Sequence, residues 1–266
     1  MVLIDTHTHN SDEAFAGEED LVIRRCLDAG VQLMLQPDVD SRERERMFAL
    51  VDRWPGVLRP MIGLYPGSVD RDWRTEIERM LPYAERSDIV AVGEIGLDFH
   101  FSTEFAAEQR EALRWQLEWA AGRDLPVNIH LRDATAAFFE VLDSCSRLPR
   151  KGSLHAFSGS YETFRRISGY GEWYVGIGGV ITFKKATLPE TVRRIPLDRI
   201  VLETDAPYMA PVPRRGTRND SSNLPLVVAK IAEVKGVTPG EVAAVTTQNA
   251  LKLFNLCPRT PDPRSC

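Results

Sequence analysis

Short apolar runs alternate with longer amphipathic segments along almost the whole chain. Residues 2–4, 31–36, 58–64, 89–94, 127–130, 152–155, 173–177 and 200–203 are apolar or β-branched and close on Gly, Pro or polar residues, the pattern of strands. Between them, residues 20–29, 42–54, 73–86, 104–123 and 135–145 carry helical spacing with few breakers, whereas the sixth and seventh intervals carry it only weakly. Two more helices are expected at 223–235 and 239–255, the second opening on Thr238-Pro239. Eight strand-and-helix alternations, with no Gly-rich dinucleotide loop after the first strand, predict an α/β chain folded as a single-domain (β/α)8 TIM barrel. Its expected extent is residues 1–256, with 257–266 as a loose tail.

Composition narrows the picture in a few respects. A chain of 266 residues with 43% hydrophobic content can bury a substantial core. A formal charge of −5 argues against coating nucleic acid through a general positive field, and leaves small substrates and nucleic-acid ends open. Cys26, Cys145, Cys257 and Cys266 show no C-x-x-C spacing and read as reduced thiols. The start of the chain has no basic-then-apolar leader and no run is long enough to span a bilayer, so the expected location is the cytoplasm, with no membrane and no obligate protein partner.

The candidate chemistry sits where a barrel would gather it. In Asp5-Thr6-His7-Thr8-His9, alternate side chains of an extended segment emerge together. His7 and His9 end the first strand, Glu94 the fourth, His130 the fifth, His155 the sixth and Asp205 the eighth, all at the carboxyl rim. Taken singly, Glu94 reads equally as a buried carboxylate paired with a cation, His130 or His155 as a satisfied core histidine, and Asp205 as a cap. Together, four imidazoles and two carboxylates with little positive charge nearby except Arg132 form a costly cluster unless cations offset them. The number of ligands points to two divalent ions: His7, His9 and Asp205 on the first, His130 and His155 on the second, Glu94 shared, and a water between. Mixed imidazole and carboxylate ligation suits zinc, manganese or iron, and magnesium less comfortably.

The stretches IDTHTHN, GEIGLDF, IHLRDA, LHAFSGS, GGVITFKKA, PLDRIVLETDAPYMAP, RGTRND and TTQNALKLF follow one another along the chain. Through them it resembles the TatD family of metal-dependent hydrolases over essentially its whole length. The resemblance implies a barrel of the amidohydrolase kind, metal ligands at His7, His9, Glu94, His130, His155 and Asp205, and deoxyribonuclease activity on phosphodiester bonds. It also exposes a departure. Where such proteins read Gly-x-His-Pro after the third strand, this chain reads GLYPG, which puts Tyr65 where a histidine near the reacting group is expected. A phenol keeps a hydrogen-bonding tip but cannot carry an imidazolium's charge.

Within this frame Asp205 is expected to orient the attacking water and accept its proton. Glu203, two residues earlier and one layer deeper, is expected to orient a ligand, with a buried ion pair as the competing reading; Asn128 and Asp5 invite the same question. Arg132 follows His130 by two, and Arg214, Arg215 and Arg218 lie in the loop after the eighth strand; the resemblance favours Arg215 and Arg218 as phosphate contacts, and Arg214 reads equally as solvated. His100 reads as a solvated loop histidine, Phe99, Phe101, Trp115 and Trp119 chiefly as core with one stacking surface conceivable among them, and the RERER run of residues 42–46 as an exposed helix face. The leading function is a metal-dependent phosphodiesterase acting on DNA, from a strand end. The alternatives are amide or ester hydrolysis, such as deacylation of an aminoacyl group, and a metal- or partner-binding barrel without catalysis.

Overall fold

The computed structural model describes residues 1–256, so the tail expected at 257–266, with Cys257 and Cys266, lies outside the described residues. Eight parallel strands run in sequence order around a barrel: β1 (Leu3–Asp5), β2 (Val31–Gln36), β3 (Leu58–Ile62), β4 (Ala91–Asp98), β5 (Val127–Arg132), β6 (Lys151–Leu154), β7 (Glu172–Ile177) and β8 (Ile200–Leu202). Thr6 N–H donates to Leu202 O at 2.9 Å and links the β1 edge to the β8 edge. Around the strands stand α1 (Glu19–Asp28), α2 (Arg44–Arg53), α3 (Trp73–Met80), α4 (Ala106–Gly122), α5 (Thr135–Ser144), α6 (Tyr161–Ile167), α7 (Leu188–Arg194), α8 (Leu224–Lys235) and α9 (Pro239–Leu253). The short α6 and α7 occupy the intervals of weak helical spacing.

Local chemistry accounts for the element ends. Thr238 caps α9 by accepting the Glu241 N–H on its hydroxyl, with Pro239 in the first turn. The expected helix over residues 73–86 stops at Met80, because Pro82 has no N–H to continue the hydrogen-bond ladder, and resumes only as a single turn over Tyr83–Glu85.

Two sets of buried side chains alternate along the strands, as a period of two requires. Leu3, Met34, Leu58, Ile62 and Val92 face the helices. Ile4, Leu33, Leu35, Met61, Ala91, Tyr174 and Val201 form a second cluster that packs on Leu253 and Phe254 at the end of α9, filling the barrel interior.

Three further expectations need correction. β4 does not end at Glu94 but continues to Asp98, with an irregularity of register between Val92 and Ile95. Gly96 permits the continuation: a Cβ there would lie 1.8 Å from His130 O on the neighbouring strand. The run of residues 42–46 is not wholly exposed, since Arg44 is buried with its Nε–H donating to Asp38 Oδ2 at 2.8 Å. Asp5 does not emerge beside His7 and His9. β1 ends at Asp5, whose carboxylate accepts from Thr204 N–H, Thr204 Oγ1–H and Ser221 Oγ–H.

Candidate metal centre

Backbone pairing brings the first three candidate ligands together. Asp205 N–H donates to His7 O at 2.9 Å and His9 N–H to Ala206 O at 2.8 Å, which lays the segment after β1 against the segment after β8. Asp205 itself adopts a left-handed backbone, φ 54°, a conformation that Asp tolerates better than most side chains.

Glu94 stands between two histidine pairs. Its Oε1 lies 2.7 Å from His130 Nδ1 and 3.5 Å from His155 Nε2. Its Oε2 lies 3.4 Å from His7 Nε2 and 3.8 Å from His9 Nε2. Asp205 Oδ1 approaches His9, His7 and His155 at 3.5, 3.7 and 3.9 Å. All six expected ligands are therefore gathered at one end of the barrel. The subsets His7–His9–Glu94, His7–His155–Asp205 and Glu94–His130–His155 each place their donor atoms within 4.8 Å of one another.

The outer nitrogens of His7 and His130 are within hydrogen-bond distance of a partner, and that of His155 makes no hydrogen bond but faces a carboxylate. Asn128 donates through Nδ2 to Ser153 Oγ, so its Oδ1, 2.7 Å from His7 Nδ1, accepts and leaves the His7 Nε2 lone pair facing Glu94. His130 Nε2 lies 2.9 Å from Asp98 Oδ2, which leaves Nδ1 toward Glu94. His155 Nδ1 lies 3.3 Å from Glu203 Oε1, which also accepts the Ala156 N–H at 2.5 Å. Glu203 fits because β7 carries Gly176 beside it, where a Cβ would fall 1.9 Å from Glu203 Oε2. Such supports fix ring orientation and tautomer in metal sites.

The donor set fits divalent cations. His7 Nε2 and His9 Nε2 are 3.1 Å apart with both carboxylates close by, so four electron-pair donors converge where only a shared proton or a cation relieves their repulsion. The field of the site points the same way. Burial would lower His155, but Glu203, Asp205 and Glu94 outweigh it and push it up to about 10. Burial likewise works against His130, yet hydrogen bonds to Asp98 and Glu94 raise it to about 8. His7, buried and stacked on His155 with ring centroids 3.5 Å apart, is lowered by burial and by that neighbour's charge. Burial opposes ionisation of Glu94 and Asp205 too, but the surrounding imidazoles hold both below the usual carboxylate range. Ions held by these residues would supply the positive charge that the carboxylates attract.

Of the remaining expected residues, Tyr65 contacts a candidate ligand. The Tyr65 ring meets His130 edge to face at 5.2 Å, and its phenol is raised by burial and by Glu94, Asp98 and Asp205. The guanidinium groups of Arg132 and Arg215 rest over the rings of Phe101 and Phe183, at 4.9 and 4.4 Å. Arg218 is instead engaged with Glu18 (2.6 Å) and Ala14 O (2.5 Å). Trp115 and Trp119 stack on each other along α4, and Phe99 packs against the core. Asp98 received no role from the sequence, although it lies four residues beyond Glu94 and so on the same side of a strand. Tyr208, also unassigned, meets His9 at 6.5 Å and donates to Asp12 Oδ2.

The model of a family described as TatD-related DNase matches residues 4–255. An uncharacterized metal-dependent hydrolase of Bacillus subtilis, YabD, is 32% identical over 96% of this chain and 100% of its own. The 3'-5' ssDNA/RNA exonuclease TatD of Pantoea vagans is 33% identical over 96% and 100%. Among solved structures, the TatD homologue YjjV of Escherichia coli superposes with a TM-score of 0.89 at 31% identity, covering 96% of this chain and 98% of that one.

Proposed function

The chain belongs to the TatD-related DNase family of metal-dependent hydrolases, and from that premise we propose that it is a deoxyribonuclease that cleaves phosphodiester bonds from a strand end with two divalent ions. The observation that carries the two-ion reading is the division of Glu94, one oxygen toward His130 and His155 and the other toward His7 and His9. His7, His9, Glu94 and Asp205 would hold one ion, and Glu94, His130 and His155 the other. The nucleic-acid substrate is supported by the Pantoea vagans relative, named as an exonuclease on single-stranded DNA and RNA.

The ions, when bound, supply Lewis acidity that polarises a phosphoryl oxygen and lowers the pKa of the attacking water. The residues of the chain do the rest. Asp205, held ionised by the imidazoles around it, accepts the proton of that water on Oδ1. Asn128, Asp98 and Glu203 keep the imidazoles oriented. Arg132 and Arg215, which form no ion pair among the described residues, are two of the cations free to take phosphate oxygens. Tyr65 presents a neutral phenol rather than an imidazolium, so it serves the leaving oxygen or a phosphate as a hydrogen-bond donor without adding charge.

Three substrates separate this reading from its competitors: single-stranded DNA labelled at either end, a D-aminoacyl ester and a simple phosphodiester. Incubated with metal-loaded protein, release of mononucleotides from one labelled end is the expected result. Product from the ester alone replaces the reading with deacylation, and product from none replaces it with a binding function.

A further inference from the structure

We propose that Phe101 and Arg132 form a base-binding subsite on the rim, in which the ring of Phe101 stacks a nucleobase and the Arg132 guanidinium takes the attached phosphate. The subsite rests on the phosphodiesterase reading above and names the part of the nucleic acid that the site grips. Phe101 is 82% exposed, although Phe99, two residues earlier, packs against the core. An apolar ring so open adds little to the packing of the barrel and is accessible to a planar partner.

The loop that carries Phe101 is tied down at two points. His100 N–H donates to Asp98 Oδ1 at 2.9 Å, and the His100 ring contacts Asp133 Oδ2 through Nδ1 at 2.7 Å. The first tie reaches back to the centre, since the other oxygen of Asp98 meets His130 Nε2. The second joins the loop after β4 to the end of β5, where β4 and β5 pair Asp98 with Arg132. His100 braces the Phe101 ring edge to face at 4.8 Å, and Arg132 lies over it at 4.9 Å. A cation without an ion-pair partner among the described residues thus covers one face of the exposed Phe101 ring and leaves the rest of it to solvent, joined through Asp98 to a candidate ligand. Anion and planar ring together are the chemistry of a nucleotide, and stacking on an aromatic side chain accepts any base.

The test measures binding, so that it does not depend on turnover. A fluorescein-labelled phosphorothioate decathymidylate is titrated with manganese-loaded protein, beside the same oligomer carrying an abasic residue at each position in turn. In the wild-type protein one abasic position is expected to weaken binding on the order of tenfold. In Phe101→Ala that preference for the base should collapse toward one, and in Phe101→Trp it should persist, with manganese content equal in all three proteins by elemental analysis. A base preference unchanged in Phe101→Ala overturns the subsite while leaving the nuclease reading intact. Failure of the wild-type protein to bind either oligomer overturns both.

Discussion

Asp98 Oδ2 lies 2.9 Å from His130 Nε2, on the side of the imidazole away from Glu94. The carboxylate therefore holds the ring so that Nδ1 faces the centre. Asp98→Asn should weaken one of the two proposed ions selectively, by about 10–100-fold in affinity, as loss of a ligand's outer partner does. Calorimetric titration of the apoprotein with manganese, resolving two binding steps, checks this. Equal weakening of both steps would assign Asp98 to the fold instead.

Asp205→Asn keeps the shape of the side chain and removes the proposed proton acceptor. Turnover of the best substrate should fall by about 10²–10⁴-fold, the usual worth of a positioned acid or base. Far-ultraviolet circular dichroism and the thermal midpoint should show the barrel intact. Full activity in this variant would remove the assigned role.

Arg44 and Asp38 form a buried pair beneath the centre, where Asp38 O accepts the Glu94 N–H at 3.2 Å. Burial pushes Asp38 up to about 7 even with the guanidinium beside it. Arg44→Ala strands a buried carboxylate and should destabilise the protein by about 3–5 kcal/mol in urea unfolding near neutral pH. Replacing both residues by apolar side chains of similar volume should recover much of that loss.

Much of this architecture was readable from the sequence, and the failures share a cause. Eight apolar runs closed by Gly, Pro or polar residues marked the strands, and all six expected ligands stand at one end of the barrel because parallel strands deliver their carboxyl ends to one rim. The fourth strand was ended at Glu94, since a glycine such as Gly96 just beyond it does not reveal that a neighbouring carbonyl needs the space. That error hid Asp98. Arg44 looked like one charge in an exposed run because its partner Asp38 belongs to the preceding loop. Asp5 was misdirected by alternation, which applies only while the strand lasts. In each case the deciding neighbour lies outside the local pattern.

Acid stability should carry the mark of Asp40. Burial opposes its ionisation, but hydrogen bonds from Arg42 and Ser68 prevail and lower it to about 2 from an ordinary 3.8. The folded state thus binds this proton less readily than the unfolded chain, so the contribution is complete above pH 3.8 and is lost as the pH falls toward 2. Urea midpoints measured from pH 5 down to pH 2 should fall less steeply in Asp40→Asn than in the wild type. Parallel curves would mean that the folded and unfolded states hold this carboxyl alike.

Gly176 contributes no atom to the chemistry, yet the space it leaves admits the Glu203 carboxylate beside His155. Evolutionary drift at this position is consequently confined from behind: a gain of one methyl group would evict an anion, and through it unsettle an imidazole at the end of the adjoining strand. The vulnerability of such a catalyst extends to an empty volume as much as to the charged groups that surround it.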